Sequence, residues 1–342
     1  MPRETIGPRE SEAIDYSDFA LVFAGQGSQK VGMGMELHQR SKAAGEVFEQ
    51  VNDALGFNLS DIMFHGPPEV LQDTVNAQPA VYTLALATYK ALEEQLGENM
   101  ILPKSVAGHS VGTYATLPIT GMLDIGEGAK LVRRRGELMK DASQKRQRPG
   151  TMAAIIGLNQ SEIEFICEQT GIELANINTD DQMVISGEKN QIANALNFAH
   201  RFASARGIEI RRIPLPVSGA FHSSEMASAQ PGLEEAIARI DFKDPSVPII
   251  ANSYPRPLTT KYDVKDELVV GLCLPVDWRG SVRLMANKKI TTFIELGPKV
   301  LTSMVNRINP NLHTFTVDSF LKAQELASLL SQQPANRNLL KA

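Results

Sequence analysis

The sequence predicts an α/β protein: a parallel sheet covered by helices, with a smaller unit inserted into the chain. Three stretches predict it. The apolar run Phe19 to Ala24 ends on Gly25-Gln26-Gly27-Ser28-Gln29, and Ser105-Val106-Ala107 ends on Gly108-His109-Ser110-Val111-Gly112, so each reads as a buried strand turning into a helix. Across residues 150–213 the pattern changes to strand, helix, two strands, helix, strand, the order of a ferredoxin-like unit.

In chain order, residues 1–17 are polar and acidic and lack an apolar signal core, and no later stretch is long enough to span a bilayer. A cytoplasmic address is the expectation. The first strand follows, and its glycine-rich turn lacks the Gly-Lys-Ser/Thr end of a P-loop and the spacing of a dinucleotide fingerprint. Gln26 there is either part of a plain βα turn or a donor of its backbone N–H to an oxyanion. A helical pattern runs from Phe48 to Leu59, and Gly66-Pro67-Pro68-Glu69 reads as a turn into a helix. Val81, Leu84, Ala85, Leu92 and Leu96 then trace a helical face that ends at Gly97.

That helix leads into Gly108-His109-Ser110-Val111-Gly112, which has the Gly-x-Ser-x-Gly form of a nucleophile elbow. Its flanking glycines permit close backbone packing while the serine Oγ points into open space; the alternative is an ordinary glycine-rich turn. Beyond it, Leu131, Val132, Leu138 and Met139 make one apolar helical stripe, and Arg135 falls within it. An arginine on a buried face needs a partner, either an internal carboxylate or the carboxylate of a substrate. Arg133 and Arg134 lie off the stripe and read as solvated charges.

Ser143 to Gly150 reads as a linker. In the inserted stretch, Met152 to Gly157 is a strand and Ser161 with Glu164 a capping box. Glu173 to Asn178 and Met183 to Ser186 are strands, residues 190–203 a helix, and Ile208 to Ile213 the last strand. Its basic residues Arg206, Arg211 and Arg212 read as a solvated edge or as a surface for an acidic partner or CoA phosphates. After Pro214-Leu215-Pro216, the loop to Ser223 carries His222. His38, His65, His200 and His313 lie in helical, turn or strand contexts, and His109 must point away from its neighbour Ser110. His222 is left as the general base for an activated serine, or as a structural loop histidine if there is no elbow. Strands at Pro248 to Ser253, Ile290 to Leu296 and His313 to Val317, and a helix from Val300 to Ile308, complete the chain; a helical pattern lies beyond Asp318.

With 342 residues, 43% hydrophobic and 21% charged, the chain can bury a large core and a smaller one, and a net charge of -5 argues against a nucleic-acid binder. Cys167 and Cys273 fall in neither a metal-ligand nor a disulfide spacing, which fits a reducing compartment and inert, buried thiols.

Together the motifs resemble the malonyl-CoA:acyl carrier protein transacylase family from about Phe19 to Val317. The resemblance rests on Phe23 to Gln29, Gln78-Pro79-Ala80, the elbow, Arg135-Gly136, Pro216-Val217-Ser218 with Phe221-His222, and Glu295-Leu296-Gly297-Pro298. It implies an α/β-hydrolase-like core of residues 18–145 and 215–318, the ferredoxin-like insert at 150–213, and tails at 1–17 and 319–342. It further implies Ser110 as nucleophile, His222 as base, Arg135 as receptor of the malonyl carboxylate, and the backbone N–H groups of Gln26 and Val111 as oxyanion hole. The carbonyl of Gly271 would orient His222, and His109, Phe221, Gln78 and Asn178 would line the pocket. Ala220-Phe221-His222 resembles the form found in malonyl-selective members.

The implied partners are malonyl-CoA and an acyl carrier protein of fatty-acid or polyketide synthesis, handled by a monomer without metal or redox cofactor. The chain departs from the family pattern at Gly271, often glutamine; at Thr113, often glutamate; at Pro118; and at Lys299, usually a second glycine. Two other classes stay in view: a serine esterase or thioesterase with water as acceptor, and a non-catalytic docking domain.

Overall fold

The computed structural model describes residues 18–97, 102–145 and 148–331, so 1–17 and 332–342, which belong to the two expected tails, lie outside the described residues. β1 (Phe19–Phe23) leads through its glycine-rich turn to α1 (Met35–Arg40), α2 (Lys42–Leu55), α3 (Leu59–His65), α4 (Pro68–Gln72) and α5 (Thr74–Leu96). β2 (Ser105–Gly108), α6 (Gly112–Ile119) and α7 (Ile125–Gln144) follow. The inserted stretch forms β3 (Gly150–Ile156), α8 (Gln160–Thr170), β4 (Glu173–Ile177), β5 (Gln182–Glu188), α9 (Lys189–Ser204) and β6 (Arg211–Pro214). Then come α10 (Gln230–Ala238), β7 (Ile249–Ile250), β8 (Pro257–Leu258), α11 (Lys261–Val270) and β9 (Val276–Asp277). The chain continues through α12 (Trp278–Asn287), β10 (Thr292–Leu296), α13 (Leu301–Ile308), β11 (His313–Val317) and α14 (Phe320–Ser331).

Phe19-Ala20-Leu21-Val22-Phe23 is apolar at every position, as a strand covered on both faces must be. It lies inside a sheet of order β11-β10-β1-β2-β7-β8, parallel except for the edge strand β8. Its alternate residues feed two cores. Phe19, Leu21 and Phe23 pack with residues of α2, α5 and α7, whereas Ala20 and Val22 pack with Trp278, Val282 and Met285 of α12 and Leu301 and Val305 of α13. In a parallel sheet all strands end at the same side, so the turns after β1, β2 and β7 open together.

The second sheet has the order β6-β3-β5-β4-β9. Its first four strands pair antiparallel, and β9, from later in the chain, adds a parallel fifth. One face packs on α8 and α9 through Ile155, Ile163, Ile166, Ile185, Ile192 and Ala199. The other face contributes Met152, Ala154, Ala175 and Val184 to the large core. Ion pairs also bind the sheets together: Asp180, in the β4–β5 turn, meets Arg279 and Arg283 of α12, and Asp181 meets Arg307 of α13.

Four local readings change. The capping box of α8 is Asn159 with Glu162, not Ser161 with Glu164; the same spacing occurs at both, but Asn159 has the extended backbone of an N-cap and the helix starts at Gln160. β6 begins at Arg211 rather than Ile208. Arg133 is not simply solvated. Pro79, inside α5, lacks the N–H that would bond the Val75 carbonyl, and Arg133 Nη1 donates to that carbonyl instead at 2.9 Å. The pattern beyond Asp318 is α14, which buries Phe320, Ala323, Leu326, Ala327 and Leu330 in the large core rather than trailing as a tail.

Candidate active site

Ser110 sits between β2 and α6 with φ 53°, in the left-handed region that a serine occupies only when its surroundings impose it. The two flanking glycines make that turn possible. A Cβ on Gly108 would stand 2.0 Å from the Gly112 carbonyl carbon, and one on Gly112 would stand 2.2 Å from the Phe23 carbonyl oxygen, so no larger residue fits either place. The turn is also braced from the segment that follows β7. Asn252 accepts the Ser110 N–H at 2.7 Å and donates through Nδ2 to the Gly108 carbonyl at 2.8 Å and to Thr113 Oγ1 at 2.9 Å.

His222 reaches the serine from the loop after β6, with Nε2 2.7 Å from Ser110 Oγ. Its Nδ1 faces two carbonyls, Gly271 at 2.9 Å and Leu274 at 3.2 Å. Carbonyls only accept, so Nδ1 carries the proton, and Nε2 is free to take one from the serine hydroxyl. Burial, reinforced by the nearby charge of Arg135 and by His109, pulls the His222 pKa from 6.5 down to about 3.

The sign follows. Between pH 6.5 and about 3 the unfolded chain binds a proton on this ring that the folded chain refuses, so its contribution makes stability rise with pH across that window. The same ring remains a competent base over that range. The acid limb of any rate that needs this ring as a base is therefore expected nearer pH 3 than 6.5. A limb near 6.5 in an initial-rate pH profile would contradict this environment for His222.

Arg135 is 4% exposed within the apolar stripe of α7. It donates from Nη2 to Ser110 Oγ at 3.2 Å and from Nη1 to Gln78 Oε1 at 2.5 Å, and its Cζ lies 5.4 Å from the centre of the Tyr114 ring. Burial lowers its pKa. Among the described residues no carboxylate pairs with it, so the internal ion pair that the sequence left open has no acceptor there. The contacts run on: Gln78 Nε2 donates to Thr74 Oγ1 at 2.9 Å, and Thr74 Oγ1 donates to Gln26 Oε1 at 2.9 Å.

Residues 20–314 match the family model described as the acyl transferase domain. The chain belongs to the acyl transferase domain family. It is 38% identical over 307 residues to the malonyl CoA-acyl carrier protein transacylase of Bacillus subtilis (strain 168), a match that covers 88% of this chain and 93% of that one. A polyketide biosynthesis malonyl CoA-acyl carrier protein transacylase of the same strain is 34% identical over 291 residues, covering 84% and 96%. Among solved structures, the acyl-carrier-protein-S-malonyltransferase of Bartonella henselae superposes with a TM-score of 0.85 at 36% identity, covering 92% of this chain and 99% of that one.

In this acyltransferase the remaining expected residues fall at different distances from the serine. His109 turns away from Ser110 and meets Asn178 Oδ1 through Nε2 at 3.0 Å, next to the clamped β4–β5 turn. Gly25 lies against the elbow, since a Cβ there would stand 2.6 Å from the His109 carbonyl oxygen, which sets the Gln26 turn beside Ser110. Phe221 is buried in the large core, next in the chain to His222. Arg206 stacks over Phe202 at 3.5 Å and lines an open groove of about 710 Å³ with residues of α8 and Arg279, none of them in the elbow.

The sequence reading missed Asn252, Leu274, Thr74 and Glu267. Glu267 joins Ser110, Thr113, Arg135, His222 and Asn252 around a cavity of about 20 Å³. The Glu295 motif proves to be a helix cap: its buried carboxylate accepts the N–H groups of Val300, Leu301 and Thr302 at the start of α13. Among the described residues no helix is long and apolar enough to cross a membrane, and no group of three or more His, Cys, Asp or Glu could hold a metal ion. Cys167 is buried, which pushes its thiol up to about 12, and Cys273 is half-buried.

Proposed function

We propose that this acyltransferase moves malonyl from CoA to the phosphopantetheine thiol of an acyl carrier protein through an acyl-Ser110 intermediate. The observation that carries the reading is Arg135: a buried guanidinium with no carboxylate partner among the described residues, 3.2 Å from a serine that is itself bonded to a neutral histidine. A buried cation of this kind suits an acyl group that brings its own carboxylate.

His222 Nε2 takes the hydroxyl proton as Ser110 Oγ attacks the thioester carbonyl. The tetrahedral oxyanion is received by the backbone N–H groups of Gln26 and Val111, neither of which has an acceptor among the described residues; each such donor contributes about 10²–10³ in rate. The carbon–sulfur bond breaks, and the imidazolium returns its proton to CoA. The carrier thiol then loses its proton to His222, attacks the acyl-serine carbonyl and leaves with the malonyl group, restoring the serine hydroxyl. Gly271, where a glutamine is usual, still offers its carbonyl to His222, as does Leu274. Gln78 holds Arg135, Asn178 holds His109, and Phe221 crowds an α-methyl substituent in favour of malonyl.

The reading includes the division of the chain into a hydrolase-like core, residues 18–145 and 215–318, and a ferredoxin-like insert, 150–213. The order β6-β3-β5-β4, in which the fourth strand of the unit neighbours the first and the third neighbours the second, supports the insert. Incubation with malonyl-CoA followed by mass spectrometry is expected to find one malonyl adduct on the peptide containing Ser110, discharged on addition of holo carrier protein. An adduct lost equally fast to water would make the protein a thioesterase, and no adduct would leave a docking domain.

A further inference from the structure

We infer that Glu267 is a positioning residue for this acyl transfer, the group that holds nucleophile and base in register from one turn of α11. The inference rests on the acyl-Ser110 reading above. β7 is only two residues long, and the chain leaves the sheet immediately after it, so the N–H groups of Asn252 and Ser253 find no strand to bond. Glu267 Oε1 accepts both, at 2.8 Å and 3.0 Å. Asn252, Ser253 and Glu267 are each less than 10% exposed, at 8%, 6% and 4%, so water does not substitute for the carboxylate.

What Glu267 holds in this way is the brace of the elbow. Asn252 grips the Ser110 N–H on one side and the Gly108 carbonyl and Thr113 hydroxyl on the other, and Ser110 needs that grip because its φ of 53° is strained. One helical turn further along, the Gly271 N–H bonds the Glu267 carbonyl at 2.9 Å while the Gly271 carbonyl accepts from His222 Nδ1. The main chain of this turn therefore sets the histidine, and its side chain sets the serine. The second carboxylate oxygen, Oε2, makes no hydrogen bond among the described residues and has Arg256 at 3.8 Å. The contacts thus need one oxygen at Oε1, which glutamine also supplies.

The test is single-turnover malonylation of Ser110 at saturating malonyl-CoA, on full-length variants below their unfolding temperature. Glu267→Ala is expected to slow acylation about 10–100-fold with KM for malonyl-CoA little changed, as displacement of a reacting atom by up to about an ångström does. Glu267→Gln is expected to stay within about threefold of the parent, because it keeps the acceptor. If Glu267→Ala does not fold, Glu267→Asp, which withdraws the oxygen by one methylene, is read in its place. A shortened variant that is folded and acylates at the parent rate overturns the inference, and so does Glu267→Gln being as slow as Glu267→Ala. A parent protein that forms no adduct on Ser110 would instead sink the functional reading, so the two failures are distinct.

Discussion

Ser110→Ala is expected to lower malonyl transfer by about 10⁴–10⁶-fold and to abolish the covalent adduct, while the protein stays folded. The substitution removes only Oγ, with its bonds to His222 and Arg135, and keeps the backbone N–H that Asn252 accepts. Among the described residues His222 Nε2 bonds no hydroxyl or thiol other than Ser110, and Cys167 is buried with its thiol pushed up to about 12. His222→Ala is expected to cost a similar factor, and the double variant no more than the worse single one, because a base without its nucleophile has nothing to deprotonate. Rates of transfer to holo carrier protein for the three variants check this. Additive losses, or a surviving adduct in Ser110→Ala, would mean that another group performs the attack.

The parts of this site legible in the sequence are those whose demands are local. A tight strand-to-helix turn needs glycine on both sides of its serine, and that need is written into five consecutive residues. Arg135 stood out because a charge interrupting an apolar stripe requires an explanation wherever the helix packs. The central strands were legible for the same reason, since β1 and β10 are buried along their whole length. Asn252 and Glu267 were not legible. An asparagine after a two-residue strand and a glutamate in a helix whose apolar face is barely developed look like surface residues until tertiary contacts bury them. Leu274 contributes only a carbonyl, for which no side chain is selected. Arg133 was misread because its partner is a carbonyl freed by a proline 54 positions earlier in the chain, a relation no local window contains.

Arg135→Ala is expected to lower kcat/KM for malonyl-CoA by about 10²- to 4 × 10³-fold, the roughly 3–5 kcal/mol that removing one member of a buried charge pair costs. Acetyl transfer should fall far less, because an acetyl group offers the guanidinium nothing to bind, so the malonyl-to-acetyl ratio should fall by a comparable factor. Arg135→Lys should recover little, since one ammonium cannot reach Gln78, the serine and a carboxylate as the planar fork does. A second consequence separates this assignment from a merely structural one. The Arg135 charge is among the causes that lower the His222 pKa, ranking after burial, so its removal should move the acid limb of the rate profile upward. Malonyl and acetyl rates measured from acid to neutral pH for parent and variant test both effects together. A variant whose malonyl-to-acetyl preference is unchanged would remove Arg135 from the carboxylate site. If selectivity falls while the acid limb stays put, Arg135 binds the substrate but burial alone keeps His222 neutral. Both outcomes trace to one guanidinium, because the Arg135 that donates to Ser110 Oγ is also a charge close enough to hold down the pKa of the histidine bonded to that same oxygen.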